Sequence, residues 1–236
     1  MKNLFLPLAV FFSILSTQAG AAEAKTILVL GDSLSQGFGL KPREAYPMLL
    51  AEKLRAAGLN FRVINASAAG DTTEGGLRRL SRHLERPIDI FILELGINDA
   101  FRGVPVAQIQ SNLQQIIDRV KTRNPGVRVV IAGMQVPNAA ADQYVSAFDA
   151  MFPELSAKKG AALVPNLLEG VAGNPQLNLA DEIHPNARGQ QILAQNVWRV
   201  LEPIARQVAR QQRRSARCCK GGIRCRPAGE TAIARR

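Results

Sequence analysis

Hydrophobic residues in this chain fall into short unbroken blocks, separated by longer stretches in which they recur every three or four positions. The blocks Thr26 to Leu30, Phe61 to Asn65, Ile88 to Leu95, Val127 to Met134 and Ala162 to Pro165 are continuous rather than strictly alternating. Such runs predict strands covered on both faces. The periodic stretches predict helices around Tyr46 to Ala57, Glu74 to Leu84, Val106 to Arg123, Gln143 to Lys159, and from about Ala187 to Val208. Strand followed by helix, five times over, predicts an α/β fold in which a parallel sheet lies between helical layers.

Both ends break the pattern. Residues 1–22 show Lys2, an apolar run from Leu4 to Leu15 and the small-residue stretch Ala19-Gly20-Ala21-Ala22. This is a secretory leader pattern with cleavage expected near Ala21 or Ala22. The apolar run is shorter than the ~18–20 residues a spanning helix needs, so export to the periplasm or the exterior is expected rather than anchoring. Residues 206–236 hold ten Lys or Arg against Glu230 alone and supply +9 of the formal +11. The body between them, residues 23–205, is near neutral and has the size of one domain with a substantial core.

A pI of about 10.3 invites a nucleic-acid reading, yet that requires charge on a folded surface, ideally with aromatics interleaved. The tail has no aromatic residue. It is expected to be a disordered, solvated extension, with weak contact to an anionic surface as its candidate role and no nucleic-acid partner. The three cysteines, Cys218, Cys219 and Cys225, all lie there at a spacing that fits no zinc pattern. Their odd number leaves at least one unpaired or cross-linked between chains.

Candidate chemistry starts where the first apolar block ends, at Gly31-Asp32-Ser33-Leu34. Ser33 sits where a buried strand turns into a helix, but a serine hydroxyl attacks nothing near neutral pH unless a base takes its proton. The chain has two histidines. His83 lies among Arg78, Arg79 and Arg82 with leucines at helical spacing, and reads as a surface residue. His184 follows Asp181 by three positions and precedes Pro185, which supplies both a base and an acid to orient it. In open parallel sheets ligands bind beyond the carboxyl ends of the strands. The segments after the first three strands, carrying Ser33, Gly70 and Asn98, therefore open at one rim, and Asp181 to His184 can reach it. Gly70 and Asn98 are candidate oxyanion donors beside the Ser33 N–H. Each also has a plainer reading: Gly70 as a turn glycine before a helix cap at Asp71-Thr72-Thr73-Glu74, and Asn98 as an ordinary turn residue.

Taken together, Gly31-Asp32-Ser33-Leu34, Gly70 in Asn-Ala-x-x-x-Gly-Asp-Thr, Gly96-Ile97-Asn98-Asp99, and Asp181-x-x-His184-Pro185 resemble the SGNH hydrolases, also called GDSL esterases or lipases. The resemblance is to the periplasmic branch of thioesterase I, lysophospholipase L1 and arylesterases, and it spans Thr26 to Leu201. It implies a three-layer α/β/α sandwich with a flavodoxin-like, five-stranded parallel sheet. It also implies Ser33 as nucleophile, His184 as general base and then acid, Asp181 as its orienting partner, and Ser33, Gly70 and Asn98 as the oxyanion hole. The expectation is a monomeric ester or thioester hydrolase acting on small molecules, with no cofactor and no metal. Carbohydrate O-deacetylation on the same site is the alternative chemistry, and a non-catalytic polyanion or lipid-surface binder acting through the tail is the alternative of another class. The absence of Gly-x-Ser-x-Gly around Ser33 disfavours an α/β-hydrolase.

The chain departs from the branch at two points. Ile97 and Ala100 replace glycines around Asn98, and a bulkier Ile97 is expected to tilt that loop. After the fourth strand, Pro137-Asn138-Ala139-Ala140-Ala141 lacks the aromatic that relatives carry, and Tyr144 comes one residue late. Asn138 and Tyr144 are the expected substrate-wall residues, so acyl-chain preference does not carry over.

Overall fold

The computed structural model describes residues 23–136 and 143–220, those from 212 onward by backbone alone. Five strands, β1 (Lys25–Gly31), β2 (Phe61–Asn65), β3 (Ile90–Glu94), β4 (Arg128–Ala132) and β5 (Ala162–Val164), pair in parallel in the order β2-β1-β3-β4-β5. The central strands are those in which apolar residues run without interruption. Ile27 to Leu30 and Ile90 to Leu93 are essentially inaccessible, and burying each such side chain contributes about 1.5–3 kcal/mol. β2 departs from the expectation of two covered faces. It is an edge strand, with Arg62 exposed and the rest half-buried.

Among the described residues seven α-helices connect and cover the sheet: α1 (Ser33–Gln36), α2 (Tyr46–Ala56), α3 (Thr73–Arg79), α4 (Ile97–Phe101), α5 (Val106–Arg123), α6 (Gln143–Lys159) and α7 (Ala187–Lys220). In α5 the stripe Ile109, Leu113, Ile116, Ile117 and Val120 is buried, as the helical spacing of these residues requires. Sequence periodicity misses α1 and α4, which are too short to show a repeat, and overruns α3. That helix ends at Arg79 and tightens into a 3-10 turn, Leu80–His83.

The end of the chain also differs from the expectation. α7 continues to Lys220 where an unstructured extension was expected from Arg206, and Val208 is buried in the core. The body therefore extends past Ala205. Cys218 and Cys219 fall in the part of α7 described by backbone alone. Residues 1–22, the segment around Asn138, and residues 221–236 with Cys225 lie outside the described residues.

β1 lies between β2 and β3, so successive connections leave it in opposite directions and a crevice opens between the carboxyl ends of β1 and β3. Ser33 and Asn98 follow those two strands directly.

Candidate active site

Ser33 is the first residue of α1, 9% exposed, and enters the helix straight from β1. Asp32 caps the helix by accepting the Leu34 N–H at 2.9 Å through Oδ1. The turn is tight because Glu94 of β3 lies beneath it. A Cβ on Gly31 would fall 2.5 Å from both Glu94 Oε2 and Ser35 Oγ, so only glycine fits at that position.

His184 arrives on the connection between β5 and α7. Asp181 Oδ1 accepts the backbone N–H groups of Ile183 and His184, both at 3.0 Å. Glu182 between them takes φ 60, a left-handed conformation that a glutamate rarely adopts. The loop is closed by the Leu179 N–H donating to His184 O at 2.7 Å and the Glu182 N–H donating to Leu179 O at 2.9 Å. This curl brings Asp181 Oδ2 to 2.7 Å from His184 Nδ1, while Nε2 lies 3.0 Å from Ser33 Oγ. Both ring nitrogens are engaged without Glu182. Hydrogen bonds from the His184 backbone and ring hold the Asp181 carboxyl down to about 2. Phe38 lies against the imidazole, with ring centroids 4.5 Å apart.

The three candidate donors differ in state. The N–H groups of Ser33 and Gly70 have no hydrogen-bond partner among the described residues. Gly70 has φ 72 and open space where a Cβ would be. The Asn98 amide nitrogen, by contrast, donates to Asp32 Oδ2 and to Asp71 O, each at 3.0 Å. The loops carrying these groups are tied together. Arg79 donates to Asp71 Oδ2 at 2.6 Å, to Gly31 O at 3.1 Å and to Ala66 O. Asp99 accepts both the N–H and the hydroxyl of Thr73, at 2.8 and 2.6 Å. Thr72 caps α3 by accepting the Gly75 N–H, so the cap expected next to Gly70 is present.

A family model described as the GDSL-like lipase/acylhydrolase family matches residues 29–192. The chain belongs to this family. It is similar to the esterase TesA of Pseudomonas aeruginosa, 40% identical over 193 residues that cover 81% of this chain and 94% of that one. It is also similar to the thioesterase 1/protease 1/lysophospholipase L1 of Escherichia coli K12, 35% identical over 82% of this chain and 90% of the relative. Among solved structures, a crystal structure of TesA superimposes with a TM-score of 0.73 at 39% identity, covering 76% of this chain and 99% of that one.

In this member of the family a cavity of about 440 Å³ opens over Ser33, Asn98 and His184. Its walls are mainly apolar, formed by Leu34, Ile97, Phe101, Leu168, Pro175 and Ile183, with Asn174, Asn178 and Glu182 at polar points. Tyr144, an expected substrate contact, does not line it and instead donates its hydroxyl to Val104 O at 2.7 Å. Ile97 is buried in the cavity wall at the start of α4. The wall residues after β5, Leu168 to Asn178, carry no motif that a single sequence betrays. His83 is part-exposed, with its pKa lowered by burial and then by Arg79 and Arg82. The neighbouring Arg79 turns its guanidinium inward. A second hollow of about 530 Å³ near Arg86 and Asn124, at the amino ends of the strands, contains none of the site residues. Among the described residues no cluster of three or more His, Cys, Asp or Glu is arranged to hold a metal ion.

Proposed function

We propose that the protein hydrolyses carboxylic esters and thioesters through an acyl-enzyme on Ser33. The observation that carries this reading is the continuous chain Ser33 Oγ, His184 Nε2, His184 Nδ1, Asp181 Oδ2, with gaps of 3.0 and 2.7 Å. His184 takes the Ser33 proton as Oγ attacks the carbonyl carbon. The negative charge moves to the carbonyl oxygen, which is met by the N–H groups of Ser33 and Gly70 and by the Asn98 amide. Collapse of the tetrahedral intermediate expels the alcohol or thiol, protonated by His184, and leaves the acyl group on Ser33. Water, deprotonated by His184, then attacks the acyl carbon; the bond to Oγ breaks as His184 returns that proton to Ser33, and the carboxylic acid leaves. Asp181 fixes the tautomer that leaves Nε2 free to accept a proton, and stabilises the imidazolium.

The largely apolar cavity supports a substrate with an acyl or alkyl chain over a carbohydrate ester. The leader pattern in residues 1–22 supports an exported enzyme. Purified protein lacking that segment is expected to cleave short p-nitrophenyl esters. The Ser33→Ala variant is expected to lose at least about 10³-fold in kcat. Undiminished turnover in that variant would sink the assignment.

A further inference from the structure

Beneath Ser33 lies a pair of carboxyl groups that the hydrolytic cycle does not use. Asp32 and Glu94 are both inaccessible to solvent. Glu94 Oε2 accepts the Asp32 N–H at 3.1 Å and the Ser35 hydroxyl at 2.6 Å, and Ser35 Oγ is 2.7 Å from Tyr46 Oη. Oε1 is buried without a partner among the described residues. Every partner of Glu94 is uncharged, so nothing compensates an anion there. Burial and the neighbouring Asp32 both push its pKa well up. Asp32 has a different role, because one of its oxygens faces the candidate oxyanion hole.

Both hydrogens of the Asn98 amide are already engaged, one by Asp32 Oδ2 and one by Asp71 O. To meet an oxyanion, Asn98 has to release one of them. An anionic acceptor holds a hydrogen bond about twice as strongly as a neutral carbonyl. The hydrogen on Asp71 O is therefore the one given up, while the bond to Asp32 fixes the plane of the amide. We propose that ionised Asp32 is a positioning residue of the oxyanion hole, anchoring Asn98 so that its second N–H exchanges Asp71 O for the forming oxyanion as acceptor. With Asp32 protonated the two acceptors are of similar strength and the amide loses its preferred orientation. The inference rests on Asn98 being an oxyanion donor, as proposed above.

Several charges bear on Asp32. Glu94 faces it from β3, His184 from the loop before α7, and Asp71 from the loop after β2, where Asp71 is itself paired with Arg79; Tyr46 of α2 is reached through Ser35. Burial dominates and lifts its carboxyl to about 6, against the lowering effects of the Leu34 N–H, Glu94 and His184. The proton would thus be exchanged in the range where an esterase is assayed.

The test compares kcat and KM for a p-nitrophenyl ester among wild type, Asp32→Asn, Asn98→Ala and the double variant. Asn98→Ala is expected to lower kcat about 10²- to 10³-fold. Asp32→Asn is expected to lower it about 10- to 100-fold with KM changed by less than about threefold. The double variant is expected to fall within about threefold of Asn98→Ala. Additive losses would overturn the proposal and leave the oxyanion assignment standing; wild-type kcat in Asn98→Ala would overturn both. Should Asp32→Asn not fold, the side-chain amide resonances of Asn98 are followed by NMR in His184→Ala, which has no imidazole beside Ser33. They are expected to move with a single ionisation between pH 4.5 and 8, and immobile resonances would refute the anchoring role.

Discussion

Asp181 and Glu182 are adjacent carboxylates within reach of one imidazole, and the backbone decides between them. Asp181 accepts the two N–H groups that follow it, which directs its other oxygen at Nδ1, whereas Glu182 at φ 60 is carried out of line. The two residues should therefore differ sharply on substitution. Asp181→Asn removes the acceptor that selects the productive tautomer, and kcat is expected to fall about 10⁴-fold at little change in KM. Glu182→Gln is expected to stay within about fivefold of wild type, because it removes no hydrogen bond to the ring. Steady-state kinetics on the two variants, with circular dichroism to confirm folding, measures the contrast. Equal losses would show that the backbone curl is not what selects the acid.

At the scale of elements, the site is held by short pieces that bridge longer ones. Arg79, at the end of α3, binds the carbonyls that end β1 and follow β2 together with the Asp71 carboxylate. Gln190 of α7 accepts the Tyr46 N–H at 2.7 Å and donates to Leu34 O at 3.1 Å, so the last helix braces both α1 and α2. α7 is thus part of the body, and its core stripe from Leu193 to Val208 continues past Ala205. A chain stopped after Gln211 is expected to keep wild-type kcat and thermal stability. One stopped after Ala205 loses the buried Val208 and should be about 1.5–3 kcal/mol less stable, with a lower Tm by calorimetry. Identical Tm values for the two would mean that the core ends earlier than the burial of Val208 indicates.

For the molecule as a whole, the site groups act on stability in opposite directions with pH. Asp32 in the fold holds its proton up to about 6 against an ordinary value of 3.8. The folded state therefore binds more protons than the unfolded state between these values, and stability falls as pH rises through the window, by about 3 kcal/mol. Asp181 is depressed to about 2, so its contribution is present above pH 3.8 and is lost as pH falls towards 2. Denaturant melts of wild type and Asp32→Asn between pH 4 and 7 should show the difference in stability between them shrinking or changing sign across that range. Parallel curves would show that Asp32 does not titrate there. Protonating Asp32 thus stabilises the fold while, on the proposal above, weakening the oxyanion hole.

The strand-helix alternation, the order of the sheet-end motifs and the pairing of His184 with Asp181 were all legible in the chain. They depend on local periodicity and on residues close in sequence, and so did Ser33, since a strand-to-helix turn announces itself in five residues. What only the tertiary structure decided depends on contacts between distant segments. Strand order 2-1-3 placed the crevice between Ser33 and Asn98. Packing across that crevice turned Arg79 inward, removed Tyr144 from the cavity and built the apolar wall from the segment after β5. It also buried Asp32 against Glu94, two carboxyls separated by 62 positions. No local pattern encodes that pairing, because the cost of burying a charge is set by what surrounds it in three dimensions.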